Sequence, residues 1–213
     1  GSDAVHLALD CGIPQRPARE LAERAGLSLT SVAAVLCTHR HSDHAAHVVA
    51  VAARAKAPLF AHLDSLGRSR ASSESEIRRR GVHLIPIWDR AGFSLGPLHA
   101  TPLQLPHDAE PTFGFTFADD SGARAGFFTD LGHAGPLEAA LLDGMQALVL
   151  EFNHDRGMLR SGPYPPILQE RVGGDHGHLA NEQSEEILAS AAPRSLRTLV
   201  LAHLSKRNNT PEL

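Results

Sequence analysis

The sequence predicts an α/β fold carried by a single domain over residues 1–213. Three observations point there. Short apolar runs of four to six residues alternate with segments of helical period. Hydrophobic residues make up 42% of the 213 positions and charged residues 21%, which supports a packed core and argues against wholesale disorder. No internal repeat and no long linker divides the chain.

The elements follow in order. Ala4 to Leu9 reads as a buried strand that ends in the turn Asp10-Cys11-Gly12. Pro17 suits a first helical position; Ala18, Leu21, Ala22 and Ala25 follow at i, i+3, i+4 and i+7, and Gly26 stops the helix. Ala33 to Thr38 is a second strand, a helix is expected from His44 to Lys56, and Pro58 to Ala61 is a third strand. Gly67 to Arg80 is polar and reads as a solvated loop or surface helix. From Val82 to Thr129 short strands alternate with turns at Gly96-Pro97 and Asp119 to Gly122, and Phe113, Phe115 and Phe117 alternate toward a core. Pro136 to Asp143 is read as a helix and Ala147 to Glu151 as a strand. The proline-bearing stretch Gly157 to Gly174 is read as irregular. Asn181 is expected to cap a helix running to Ala191, and Leu199 to Ala202 is expected to be a last buried strand.

Composition narrows the function. A net charge of −4 gives no bulk electrostatic case for nucleic-acid binding, though a local basic groove remains compatible with it. No apolar run reaches the roughly 18 residues needed to span a bilayer, so no membrane partner is expected. Two cysteines, Cys11 and Cys37, are too few for a disulfide scaffold and favour a reducing, cytoplasmic setting. Histidine is the anomaly: 14 residues, against 8 Phe, 1 Trp and 1 Tyr.

Those histidines are organised. His39-Arg40-His41-Ser42-Asp43-His44 places four metal-capable side chains within six residues, directly after an apolar strand. A rigid strand end fixes the first ligand, and an irregular turn can aim alternate side chains at one point. One turn rarely supplies all the N/O ligands a divalent ion needs at about 2.0–2.2 Å. Further donors are therefore expected at other strand ends, and His107-Asp108, Asp130 and His203 each follow an apolar run. His6, His62, His83 and His99 lack ligand-type neighbours and read as structural or surface residues; His47 is set beside them.

The six-residue turn resembles the defining motif of the metallo-β-lactamase-fold hydrolases. Glu151-Phe152-Asn153-His154-Asp155, Met158 to Pro165, Gly177-His178-Leu179-Ala180-Asn181, Leu201 to Ser205 and Asn208 to Leu213 together are similar to the YycJ/WalJ-like branch of that family, across nearly the whole chain. The resemblance implies an αββα four-layer sandwich. It also implies two divalent ions, with His39, His41 and His107 on one, Asp43, His44 and His203 on the other, and Asp130 bridging; the nitrogen and oxygen ligand set suits zinc first, and permits manganese or iron. Two features depart from the pattern. Only Gly1-Ser2 stand where a Gly/Ser-rich opening strand pair is expected, so the chain is read as N-terminally truncated, and Ala180 replaces the branch's usual Ser.

By resemblance the chain is expected to be a phosphodiester hydrolase, exonuclease-like, acting through a hydroxide shared by the ions, whose water would be acidified from 15.7 toward about 7. Asp43 would take a proton from that water, and His178 would serve as general acid near the leaving oxygen. His154, Arg160, Asn181 and Ser205 are candidate substrate contacts, with Arg171, Lys206 and Arg207 as flanking cations. A carboxylate at position 130, with no cysteine after Cys37, argues against β-lactam hydrolysis. Two alternatives stay open: hydrolysis of small phosphodiesters or thioesters on the same fold, and a non-catalytic regulatory protein stabilised by metal. Nucleic acid or another phosphodiester is the expected partner, no protein partner is legible, and a homodimer is compatible with the sequence.

Overall fold

The computed structural model describes residues 5–66, 70–137, 139–191 and 195–213. By their packing the described residues fall into two compact units, those up to Leu98 with Ala109–Phe113, and His99–Asp108 with those from Gly114 on.

The first unit is built on a parallel sheet in the order β1 (His6–Leu9), β2 (Val32–Leu36), β3 (Leu59–Ala61) and β4 (Leu84–Pro86). Helices α1 (Gln15–Arg24), α2 (Ser42–Ala45), α3 (Val48–Ala55) and α4 (Glu74–Arg79) connect the strands, and β5 (Phe93–Leu95) follows. Parallel strands need such crossovers, and strands covered this way read as continuous apolar runs. Val35, Cys37, Val48, Val49, Ala52 and Leu59 form the core between β2, β3 and α3. Full burial of each Val or Leu contributes about 1.5–3 kcal/mol.

Three expectations are refined here. Helix α1 starts at Gln15, so Pro17 is its third residue, not its first. A proline is tolerated there because none of the first-turn N–H groups has a partner within the helix. The stretch expected as a loop or surface helix contains α4, capped by the Ser73 hydroxyl, which accepts from the Glu76 N–H at 3.3 Å; Gly67 to Ser69 lie outside the described residues. The helix expected from His44 to Lys56 is two helices, α2 and α3. The break is pinned by Cys11, whose N–H donates to the His44 carbonyl at 2.7 Å while its own carbonyl accepts from His47 N–H at 2.8 Å.

Gly12 permits that approach. A Cβ at position 12 would lie 1.9 Å from the Asp43 carbonyl oxygen, and backbone on both sides cannot yield. We expect Gly12→Ala to displace the histidine-rich turn and destabilise the chain by about 1–3 kcal/mol or more. A drop in melting temperature together with weakened metal binding checks this.

The second unit carries most of β6 (Leu98–Leu105) and β7 (Thr112–Asp119), with β8 (Arg124–Phe128), β9 (Ala147–Glu151) and β10 (Thr198–Ala202), and its strands run in the order β10-β9-β8-β7-β6. β7 and β8 are antiparallel; β8, β9 and β10 are parallel. Phe128, Leu131, Met145, Leu148, Leu150 and Ile187 centre its core. Phe113 and Phe115 are buried as their alternation predicts, whereas Phe117 is half-buried toward the strand's end.

The second unit corrects the sequence reading at four places. The stretch expected to be irregular holds two helices, α6 (Arg156–Ser161) and α7 (Pro166–Gly173); α5 (Ala139–Leu142) and α8 (Asn181–Ala191) complete the set. Asp155 caps α6, its carboxylate accepting from Met158 N–H at 2.6 Å, and Pro166 opens α7. Helix α5 is shorter than the expected Pro136 to Asp143, and Glu138 lies outside the described residues. Asn181 does not cap α8: it is the helix's first residue, and Gln183 reaches back to accept from Ala180 N–H at 2.9 Å. Finally, β10 is a sheet edge rather than a buried strand, with Leu199, Val200 and Leu201 between 38% and 49% exposed.

Candidate metal centre

Ligand-type residues sit where strands end, and within each unit they are brought together. In the first unit the chain leaves β2 through Cys37 and Thr38 into His39, then turns at His41 into α2. The His39 ring centroid lies 4.8 Å from that of His41 and 4.2 Å from that of His44. Asp43 is exposed, its carboxylate 3.7 Å from His44 Nε2.

Asp10, immediately after β1, organises this group. Its carboxylate accepts from Thr38 N–H and Thr38 Oγ1, both at 2.7 Å, and from His44 Nδ1 at 2.8 Å. Because the Thr38 hydroxyl gives its only proton to Asp10, Thr38 Oγ1 must accept at 2.9 Å from His39 Nδ1. Both imidazoles are thereby held with the proton on Nδ1 and the lone pair on Nε2.

The second unit repeats the device. His107 Nδ1 donates to the Gly177 carbonyl at 2.9 Å, and its Nε2 lies 3.8 Å from Asp130 Oδ1. His203 Nε2 lies 3.4 Å from the same oxygen. Glu151, the last residue of β9 and fully buried, accepts from His203 Nδ1 at 2.7 Å and from His178 Nδ1 at 2.9 Å through one oxygen. Its other oxygen accepts from the backbone N–H groups of Leu131 and Leu179, each at 3.1 Å. Ligand atoms of Asp130, Glu151, His178 and His203 all lie within 4.8 Å of one another.

Burial alone would push the Glu151 carboxyl up, but the hydrogen bonds and charge of His178 and His203 prevail and hold it down at about 2. Burial lowers His107, only partly offset by the Asp130 carboxylate, which favours the neutral imidazole a metal requires. Asp10, Asp130 and His203 adopt left-handed backbone angles, with φ of 57°, 62° and 58°. Such angles cost L-residues about 1–2 kcal/mol each, so the surrounding structure holds these three turns in place.

Both units fit divalent metal on the chemistry of their donors. Five imidazoles have Nδ1 committed to a carboxylate, carbonyl or hydroxyl, the arrangement that orients a ligating histidine and raises its basicity. Asp43 and Asp130 add hard oxygen donors. Sequence reasoning did not single out Asp10, Thr38 or Glu151 as parts of the site. The signal was present for two of them: Asp10 and Glu151 each end an apolar strand, the same mark that drew attention to Asp130 and His203.

The substrate candidates are placed differently from one another. His154 is buried and lines a cavity of ≈ 540 Å³ with Arg156, Arg160, Gln169 and Gln183. Asn181 is buried with its amide exchanging hydrogen bonds of 3.1 and 3.0 Å with Asn209, and Ser205 Oγ accepts from Asn208 N–H at 3.2 Å in a local turn. Arg171 is paired with Asp108, while Lys206 and Arg207 are exposed.

Comparison with known proteins agrees with this architecture. The family model described as a beta-lactamase superfamily domain matches residues 7–204. Exodeoxyribonuclease YycJ of Bacillus anthracis is 28% identical over 213 residues, covering 100% of this chain and 79% of the relative. Exodeoxyribonuclease WalJ of Streptococcus pneumoniae serotype 2 is 27% identical over 209 residues, covering 97% and 76%. Among solved structures, Zn2+-bound PqqB from Methylobacterium extorquens superposes with a TM-score of 0.69 at 19% identity, over 97% of this chain and 75% of that one. On its strand-end histidines and carboxylates and on this match over nearly its whole length, the chain belongs to the beta-lactamase superfamily, as a metal-dependent hydrolase of metallo-β-lactamase fold similar to YycJ and WalJ.

Proposed function

We propose that this chain is a dinuclear metal-dependent phosphodiesterase that degrades DNA from an end. The observation that carries the reading is the set of four ligand histidines, His39, His44, His107 and His203, whose Nδ1 is held so that Nε2 can face a metal, together with His41, Asp43 and Asp130. In this reading His39, His41 and His107 would hold one ion, Asp43, His44 and His203 would hold the other, and Asp130 would contribute to both. Zinc suits the nitrogen and oxygen donors, with manganese second. That YycJ and WalJ are named exodeoxyribonucleases supports DNA as the substrate class and attack from an end.

Divalent ions in such a site supply charge for phosphoryl oxygens and acidify water. The protein's own groups do the rest. Asp43, exposed beside His44, accepts the proton of the attacking water. His178, its ring fixed by Glu151, delivers a proton from Nε2 to the leaving oxygen. Arg160, Lys206 and Arg207 position phosphates, with His154, Asn181 and Ser205 as the remaining candidate substrate contacts. No described helix is long and apolar enough to cross a membrane, and both cysteines are free thiols, which suits the reducing cytoplasm.

The test is hydrolysis of 5′-labelled single- and double-stranded DNA by protein reloaded with zinc or manganese. Stepwise shortening from one end supports the reading. Cleavage only of small diesters or thioesters, with no effect of salt, transfers it to a small-substrate hydrolase. We expect His178→Ala to lower turnover about 10²–10⁴-fold, the range for a general acid, with metal content unchanged. Loss of metal in that variant would assign His178 to coordination instead.

A further inference from the structure

We propose that Trp88, braced by His62, is a stacking platform for a nucleobase of single-stranded substrate, set on the same sheet edge as the histidine-rich turn. The ligand class rests on the nucleic-acid reading above.

Topology places the two features together. β2, β3 and β4 are neighbouring parallel strands, with Leu36 paired to Phe60 and Phe60 paired to Ile85. His39 and Trp88 each stand three residues beyond those register partners, at the carboxyl ends of β2 and β4. Adjacent strands lie about 4.8 Å apart, so two strand spacings separate the turn from the tryptophan by roughly 10 Å. In open α/β sheets ligands lie outside the carboxyl ends of the strands, and His62 fills the step between, directly after β3.

The local chemistry is that of a surface for flat ligands. Trp88, the only tryptophan in the chain, is 58% exposed, whereas its neighbour Ile87 is 1% exposed and fills the core beneath. Trp88 therefore presents more than half of its surface to solvent. Its ring meets that of His62 edge to face, centroids 4.9 Å apart and planes at 87°. His62 is itself held: Nδ1 accepts from Asp64 N–H at 3.3 Å, and its ring lies 6.2 Å from that of buried Phe113. The Trp88 backbone is fixed by a turn in which Ala91 N–H donates to the Trp88 carbonyl at 3.1 Å. A rigid, exposed aromatic face beside a metal turn can take a base only when that base is unstacked from its neighbours. The platform therefore favours single strands and tolerates any base, because every base has a π-face.

A lone tryptophan makes its own emission the readout. The metal-loaded chain is titrated with phosphorothioate hexathymidylate and with an abasic hexamer of the same backbone. Saturable quenching by the base-bearing oligomer and none by the abasic one is expected; equal quenching by both, or none by either, overturns the platform. In hydrolysis of ordinary hexathymidylate, Trp88→Ala raises KM about tenfold and Trp88→Phe retains most of the affinity, stacking on one base being worth that much. A KM rise of the same size on the abasic hexamer would show that the indole acts on the backbone or on folding, and would refute base stacking. Base-dependent quenching without any DNA cleavage upholds the platform and defeats the nuclease reading; cleavage without base-dependent quenching does the reverse.

Discussion

Asp130→Asn is expected to lower phosphodiester turnover by about a thousandfold and to reduce bound metal, while leaving the fold intact. Asp130 is 1% exposed and sits in the left-handed region at φ 62°. Asn accepts that backbone as readily as Asp does, so the substitution removes charge without straining the turn. What it removes is the carboxylate that lies 3.8 Å from His107 Nε2 and 3.4 Å from His203 Nε2. Charge stabilisation by a metal site is worth several kcal/mol at the transition state, and each 1.4 kcal/mol is a factor of ten. Steady-state rates and metal content of the purified variant check it. An unchanged rate would remove Asp130 from the chemistry.

Glu151→Ala is expected to cost more in stability than any other single change in the second unit. One carboxylate holds the half-buried His178 and His203 rings and the buried backbone N–H groups of Leu131 and Leu179, so its loss takes the acceptor from four donors. Removing one partner of a buried charged cluster costs about 3–5 kcal/mol, and losing support behind a metal ligand costs about 10–100-fold in metal affinity. The pH dependence follows with a definite sign. The folded carboxyl titrates at about 2 against an ordinary 4.5, so it binds its proton less readily folded than unfolded. Its stabilisation is complete above pH 4.5 and is lost as pH falls toward 2. Burial of His107 acts in the same direction, since a histidine held neutral must charge as pH falls below its ordinary range. Acid denaturation curves of the native chain and of Glu151→Gln check the claim: the variant's stability should fall less steeply over that window.

Much of this was legible before any coordinates. The parallel strands declared themselves as apolar runs closed by Asp, His or Glu, because a strand covered by helices has no polar face to interrupt the run. The histidine-rich turn was visible from spacing alone. Other features were hidden for identifiable reasons. Prolines around 163–166 suggested an irregular path, yet Pro166 opens α7, where a missing N–H costs nothing. The run Leu199 to Ala202 has the composition of a core strand, and only sheet order reveals it as an edge. Asn181 carries the right chemistry for a cap, but its amide is taken by Asn209 and Gln183 does the capping. Asp10 and Glu151 escaped notice because an acid beneath histidines, unlike one among them, leaves no local cluster in sequence. Trp88 and His62 were unremarkable singly; register alone aligns them with the metal turn.

The most direct test of the account is metal stoichiometry of the purified chain by inductively coupled plasma mass spectrometry, beside a His39→Ala/His41→Ala variant. Two divalent ions per chain are expected, falling to one in the variant. A chain that retains no ion after loading, or a stoichiometry indifferent to the loss of His39 and His41, would contradict it.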